Sequence, residues 1–207
     1  MPPARLVTPV VDDAGFWTRL GLEIKPKIRP MFRDLFIEGA IAGGDAIPVV
    51  TKDVAVDLDA INDIADDLID AYMDEWWGQL TRTTQKRLRA AIAEARRLGL
   101  GAEFVAKEIA PLFGETRALL IAVSEVTNLF GQGAQATYRV AGFTTWIWRT
   151  VNDSAVDPIC ADLAAQSEAT PFAMSRTFFR AHPRCRCWPV PAGNVVTMPA
   201  AASALKE

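Results

Sequence analysis

Apolar side chains at Ile28, Met31, Phe32, Leu35 and Phe36, followed by Gly39, recur at the three-and-four spacing of a helix face. Pro30 suits a first turn and Gly43–Gly44 a stop, so a short helix is predicted there, behind a poorly periodic arm of about 25 residues. From Asp57, a stripe of Leu58, Ile61, Ile64, Ala65, Leu68, Ile69, Tyr72, Trp76 and Leu80 predicts a long amphipathic helix with its aspartates on the opposite side. Thr83 or Thr84 can cap a further helix that buries Leu88, Ile92, Ala95 and Leu98 and ends at Gly99, and a shorter helix stops near Pro111 and Gly114. Glu115 to Ala141 is apolar around much of its circumference, which suits the middle of a bundle. After Gly142 the period becomes two: Thr144, Trp146, Trp148 and Thr150 alternate with Thr145, Ile147 and Arg149, as in a strand with one bulky face. Residues 151–158 form a turn cluster, Cys160 to Gln166 fits one or two helical turns, and Arg184 to Pro191 reads as a second extended segment.

The fold class expected is mainly α (α+β), a helical body with a small C-terminal β-hairpin module held by a Cys/His cluster. The divisions are an arm and short helix over 1–52, the helical body over 53–142, the hairpin module over 143–191 and a peripheral tail over 192–207. At 207 residues, half of them hydrophobic, the chain can bury one sizeable core. The net charge of −3 gives no general attraction to nucleic acid or to an anionic membrane. Its distribution is uneven: nine acidic and no basic side chains lie between Asp53 and Glu75, whereas Arg82 to Lys107 holds seven basic and two acidic ones. The acidic run reads as a solvated helix face, its first turns favoured by the helix dipole. No secretory signal and no run of about 20 apolar residues is visible, so a protein used in a reducing cytoplasm is expected. P-loop, G-x-G-x-x-G, H-E-x-x-H and G-x-S-x-G motifs are all missing from the sequence.

The one histidine and all three cysteines fall as C-x21-H-x2-C-x-C: Cys160, His182, Cys185 and Cys187. These are the ligand types of a structural zinc, which would fasten a region with few apolar side chains of its own. Reduced thiols beside a core histidine are an equal alternative, a disulfide a lesser one, and a Cys–His nucleophile lacks an evident orienting group and oxyanion hole. One geometric condition attaches to the metal. In a flat strand Cys185 and Cys187 would stand about 7 Å apart, too wide for one ion, so the backbone must curl there. His182-Pro183 favours an extended residue before such a turn.

Three segments, "RALLIAVSEVTNLFGQG", "WRTVNDSAVDPICADL" and "HPRCRC", together resemble the phage Mu F-like minor head proteins, or phage head morphogenesis proteins. The family pattern R-A-x-x-I-A-x-T-E is met by Arg117, Ala118, Ile121, Ala122 and Glu125; W-x-T-x-x-D-x-x-V-C-x-x-C by Trp148, Thr150, Asp153, Val156 and Cys160; and H-P-x-C-R-C by His182, Pro183, Cys185, Arg186 and Cys187. The likeness extends over about residues 82–191. Ser124 stands at a threonine position, and Asp157 replaces the first cysteine of the second motif, leaving an oxygen where a sulfur is usual.

The resemblance implies a minor capsid or head morphogenesis protein of a tailed phage or prophage. It would work in the host cytoplasm during assembly and then in the virion head, contacting portal, capsid or scaffolding proteins, with no catalysis and no membrane partner. Arg117 and Glu125, charges within an apolar helix, are expected to be structural anchors with partners of their own. Trp76, Trp77, Trp146, Trp148 and Trp188 divide between core packing and interface anchoring. The alternative is a zinc-knuckle-type module on packaged DNA, with Arg176, Arg180, Arg184 and Arg186 contacting phosphates.

Overall fold

The computed structural model describes residues 12–47, 57–99, 102–112, 114–151 and 153–195. The first part of the expected arm, the connector over 48–56 and the tail from 196 onward lie outside the described residues. The fold is mainly helical, with a three-stranded antiparallel sheet near the C-terminus. Four longer helices are α1 (Ala14–Ala46), α2 (Leu58–Leu98), α4 (Glu115–Val140) and α5 (Pro158–Ala169), with the short α3 (Ala102–Ile109) before α4. The strands are β1 (Phe143–Arg149), β2 (Phe172–Ala173) and β3 (Trp188–Val195), in the order β2-β1-β3. No described helix is long and apolar enough to cross a membrane. By internal contacts the chain divides into two compact units, residues 1–31 with 67–122 and residues 32–66 with 123–207.

Two helices are longer than their spacing predicts. α1 starts at Ala14, so Pro26 and Pro30 lie inside it, and it runs past Gly43 to Ala46. Each proline removes one intrahelical hydrogen bond. α2 is a single helix of 41 residues, and Thr83 and Thr84 sit in its interior instead of capping a second one. Their hydroxyls donate to the carbonyls of Gln79 and Leu80 one turn back, as Thr81 does to Trp77, a bond that lets threonine stay within a helix.

In the first unit, Leu88, Ile92, Ala95 and Val105 form a small core against which Trp17, Ala91 and Phe104 pack. The acidic run of α2 is not merely solvated. Lys25 pairs with Asp74 and Arg29 with Asp70, at matching four-residue steps, and Arg89 pairs with Asp12. Trp76 is buried, and Trp77 lies against Gly21, where a Cβ would come within 2.7 Å of the indole nitrogen.

The second unit is built on a close helix crossing. A Cβ at Gly133 of α4 would sit 1.9 Å from the carbonyl oxygen of Phe36, and one at Gly39 of α1 would sit 2.1 Å from that of Phe130. Glycine is what allows these backbones to touch. Thr137 seals the contact by donating to the Ala40 carbonyl at 2.7 Å, and Arg33 pairs with Asp66. Beyond the crossing, Gly142, with φ of +83°, ends α4 and turns the chain into β1. β1 pairs with β3 in the register Trp146↔Pro191, Trp148↔Pro189 and Arg149↔Trp188, and with β2 through Thr145↔Ala173. Trp146 and Trp148 are both buried, with Phe178 packed against both rings at centroid distances of 6.0 and 5.0 Å.

Candidate metal site

The strand β3 starts only at Trp188, so Cys185 and Cys187 belong to the turn before it. Arg184 takes φ of +61°, unusual for a side chain larger than glycine's, and the Cys185 amide donates back to the His182 carbonyl at 3.2 Å. The turn is pinned to α4: Thr127 donates its hydroxyl to the Cys185 carbonyl at 2.7 Å, and the Arg184 amide donates to the Ser124 hydroxyl at 3.4 Å. This is the curl that two cysteines in C-x-C need to turn toward one point. The third sulfur comes from α5, which is longer than the one or two turns its sequence suggests. Asp157 caps it by accepting from the Ile159 amide, Pro158 fills its first position, and Cys160 follows in the first turn.

All three thiols are free and buried, and their sulfurs lie within 4.8 Å of one another. They are close enough to hold a metal ion. The Cys160 and Cys185 sulfurs are 3.7 Å apart, against roughly 3.8 Å for two thiolates on a tetrahedral ion with bonds of about 2.3 Å. His182 Nε2 is 3.1 Å from the Cys160 sulfur, and His182 Nδ1 is 2.8 Å from the Pro183 carbonyl oxygen. A carbonyl only accepts, so Nδ1 carries the proton and Nε2 presents its lone pair toward the Cys160 sulfur, though His182 stands outside the group that the three sulfurs form. Metal-bound histidines are held this way, the far nitrogen donating to a carbonyl or carboxylate. A pocket of about 30 Å³ opens beside the group, lined by Thr150, Val156, Asp157, Cys160, His182 and Cys187 among others.

Charge on the three sulfurs is unequal. Cys185 accepts a hydrogen bond from the Cys187 thiol, which together with backbone amides of Ala181 and Cys187 draws it down to about 5. Burial pushes the Cys160 thiol up to about 11. Cys187 is raised as well, chiefly because it donates to Cys185. Cys185 is thus the sulfur that ionises most readily, and ionisation of the other two calls for a positive charge beside them. A second sign points the same way. The Trp148 indole N–H is buried and makes no hydrogen bond among the described residues, a state that costs about 1–3 kcal/mol.

The remaining motif residues distribute as follows. Arg186 holds both carboxylate oxygens of Asp153, at 2.7 and 2.9 Å, and its guanidinium keeps that carboxyl below the usual carboxylate range. Arg180 Nη1 lies 3.3 Å from the buried Glu125, near enough for an ion pair though not aligned as a hydrogen bond. Arg117 belongs to the other unit, where it donates to Thr84 at 3.1 Å. Arg176 stacks on the Phe172 ring, 3.8 Å from its centroid, and Arg184 is exposed. Two of the four arginines considered for phosphate contact are thus committed to internal carboxylates.

Apart from Ser124, the sequence reading missed the side chains that support this site. Ser167 accepts from the Trp148 backbone amide at 2.8 Å and ties α5 to β1. Along α4, Ser124, Asn128, Gln132, Gln135 and Arg139 stand at helical spacing and bond the main chain of residues 174–184. Asn128 accepts from the Arg180 amide at 2.8 Å, and Gln135 accepts from the Phe178 amide at 2.8 Å while donating to the Arg176 carbonyl at 2.7 Å. Arg139 donates to the Met174 carbonyl, and Gln132 to that of Phe178. A polar stripe within an otherwise apolar helix was the available signal. No family model, no curated protein and no solved structure matches the chain.

Proposed function

We propose that this chain is a minor capsid, or head morphogenesis, protein of a tailed phage or prophage. It acts in head assembly by binding portal or capsid components through a C-terminal module closed by zinc. Cys160, Cys185, Cys187 and His182 would hold the ion, which supplies a cross-link between α5 and the turn before β3. The observation that carries the reading is the meeting of three motif segments far apart in sequence. Glu125 and Ser124 reach Arg180 and the Arg184 amide, Asp153 reaches Arg186, and Cys160 reaches Cys185 and His182. Glu125, Asp153, Cys160, His182, Cys185 and Arg186 of the family pattern thus have partners within one unit, whereas Arg117 of the first motif has its partner in the other.

The chemistry of the sulfurs favours scaffolding over catalysis. Cys160, the thiol beside His182, is raised by burial, the reverse of an activated nucleophile, and Cys185, though drawn down to about 5, is fully buried. Assembly is favoured over DNA contact because Arg180 and Arg186 are occupied by carboxylates. The test is co-sedimentation of the purified chain with the portal and capsid proteins encoded in the same genome, at low and high salt, alongside zinc analysis. Retention on portal or capsid particles at high salt, with about one zinc per chain, is expected. Binding only to DNA, weakening steeply with salt, would overturn the assembly reading.

A further inference from the structure

We infer that the Trp148 indole N–H is the outer hydrogen-bond donor of the metal site, bonding the Cys187 thiolate and thereby setting the affinity of the site for its ion. The inference rests on the metal reading above and deepens it. β3 begins at Trp188, opposite Arg149, and Trp148 pairs with Pro189, so Cys187 enters the sheet beside Trp148, and both side chains belong to one buried cluster. Both residues are buried. The indole N–H is aligned with no acceptor among the described residues, yet it lies close enough to the Cys187 sulfur to favour that sulfur's charged form.

A neutral thiol is a weak acceptor, whereas a metal-bound thiolate is a strong one. The tryptophan is held too firmly to find another partner. Its ring packs against Trp146 and Phe178, and its backbone amide is bound to Ser167. Groups that bond a metal ligand in this way typically change affinity by about tenfold to a hundredfold when removed. A tryptophan kept for volume alone would show no such dependence.

The experiment is a Co²⁺ titration of the full chain, followed by thiolate-to-cobalt absorption, in wild type, Trp148→Phe, and a chain carrying benzothienylalanine at 148. That analogue keeps the bicyclic shape and replaces N–H by sulfur. Both variants are expected to retain the absorption bands of the same ligand set and to bind Co²⁺ about tenfold to a hundredfold more weakly. Wild-type affinity in the benzothienylalanine chain overturns the inference and leaves the metal reading standing. No thiolate-to-cobalt band in wild type overturns both. Should Trp148→Phe fail to fold, the shape-preserving analogue still decides the matter.

Discussion

Asp153 and Arg186 are far apart in sequence, yet they make the best-formed ion pair in the second unit, two parallel hydrogen bonds from one guanidinium to one carboxylate. Because Arg186 lowers the Asp153 pKa, the pair stabilises the fold above the ordinary carboxylate pKa, and that contribution is lost as pH falls through the depressed value. Asp153→Asn is therefore expected to destabilise the protein at pH 7 and to converge with wild type from about pH 4 downward. Urea denaturation at several pH values measures this, and a pH-independent difference would refute it. The site residues themselves were legible because their types are few: one histidine and three cysteines leave little choice. Their supports were not. Ser167 could belong to any exposed helix face, and nothing in the sequence says that it meets the Trp148 amide of β1.

At the scale of elements, the class of each segment could be read but not always its ends. Threonine hydroxyls serve equally as caps or as partners for the carbonyl one turn back, so Thr83 and Thr84 alone do not distinguish a helix start from a helix interior. Glycine is similarly ambiguous: Gly43 looks like a terminator, but it stands within α1 opposite Ala134, where a Cβ would come within 2.6 Å of that residue's Cα. The information that separates these uses lies in the partner helix, not in the local string. The crossing gives a direct prediction. Gly133→Ala places a methyl where the Phe36 carbonyl already is, and a loss of about 3 kcal/mol in unfolding free energy is expected. Gly114→Ala, whose added Cβ meets nothing nearer than 3.7 Å, serves as the control and should shift stability far less.

For the molecule as a whole, the sheet module has a short β2 and a long stretch without regular structure between β2 and β3, so a cross-link through Cys160, Cys185 and Cys187 would matter most there. Chelation is expected to raise amide hydrogen exchange over residues 158–190 and to leave the core around Leu88, Ile92 and Val105 unchanged. Mass-spectrometric exchange with and without chelator reads both, and uniform protection in the two conditions would count against a metal clamp. The polar stripe of α4 carries a separate implication. It grips residues 174–184 by their amides and carbonyls, which every sequence but proline supplies in full. The outward side chains of that strip, Ser175, Thr177 and Phe179 among them, are exposed. Their identities are thereby released from the duty of folding, and this edge of the protein can be rewritten to suit a new neighbour while its path through space stays the same.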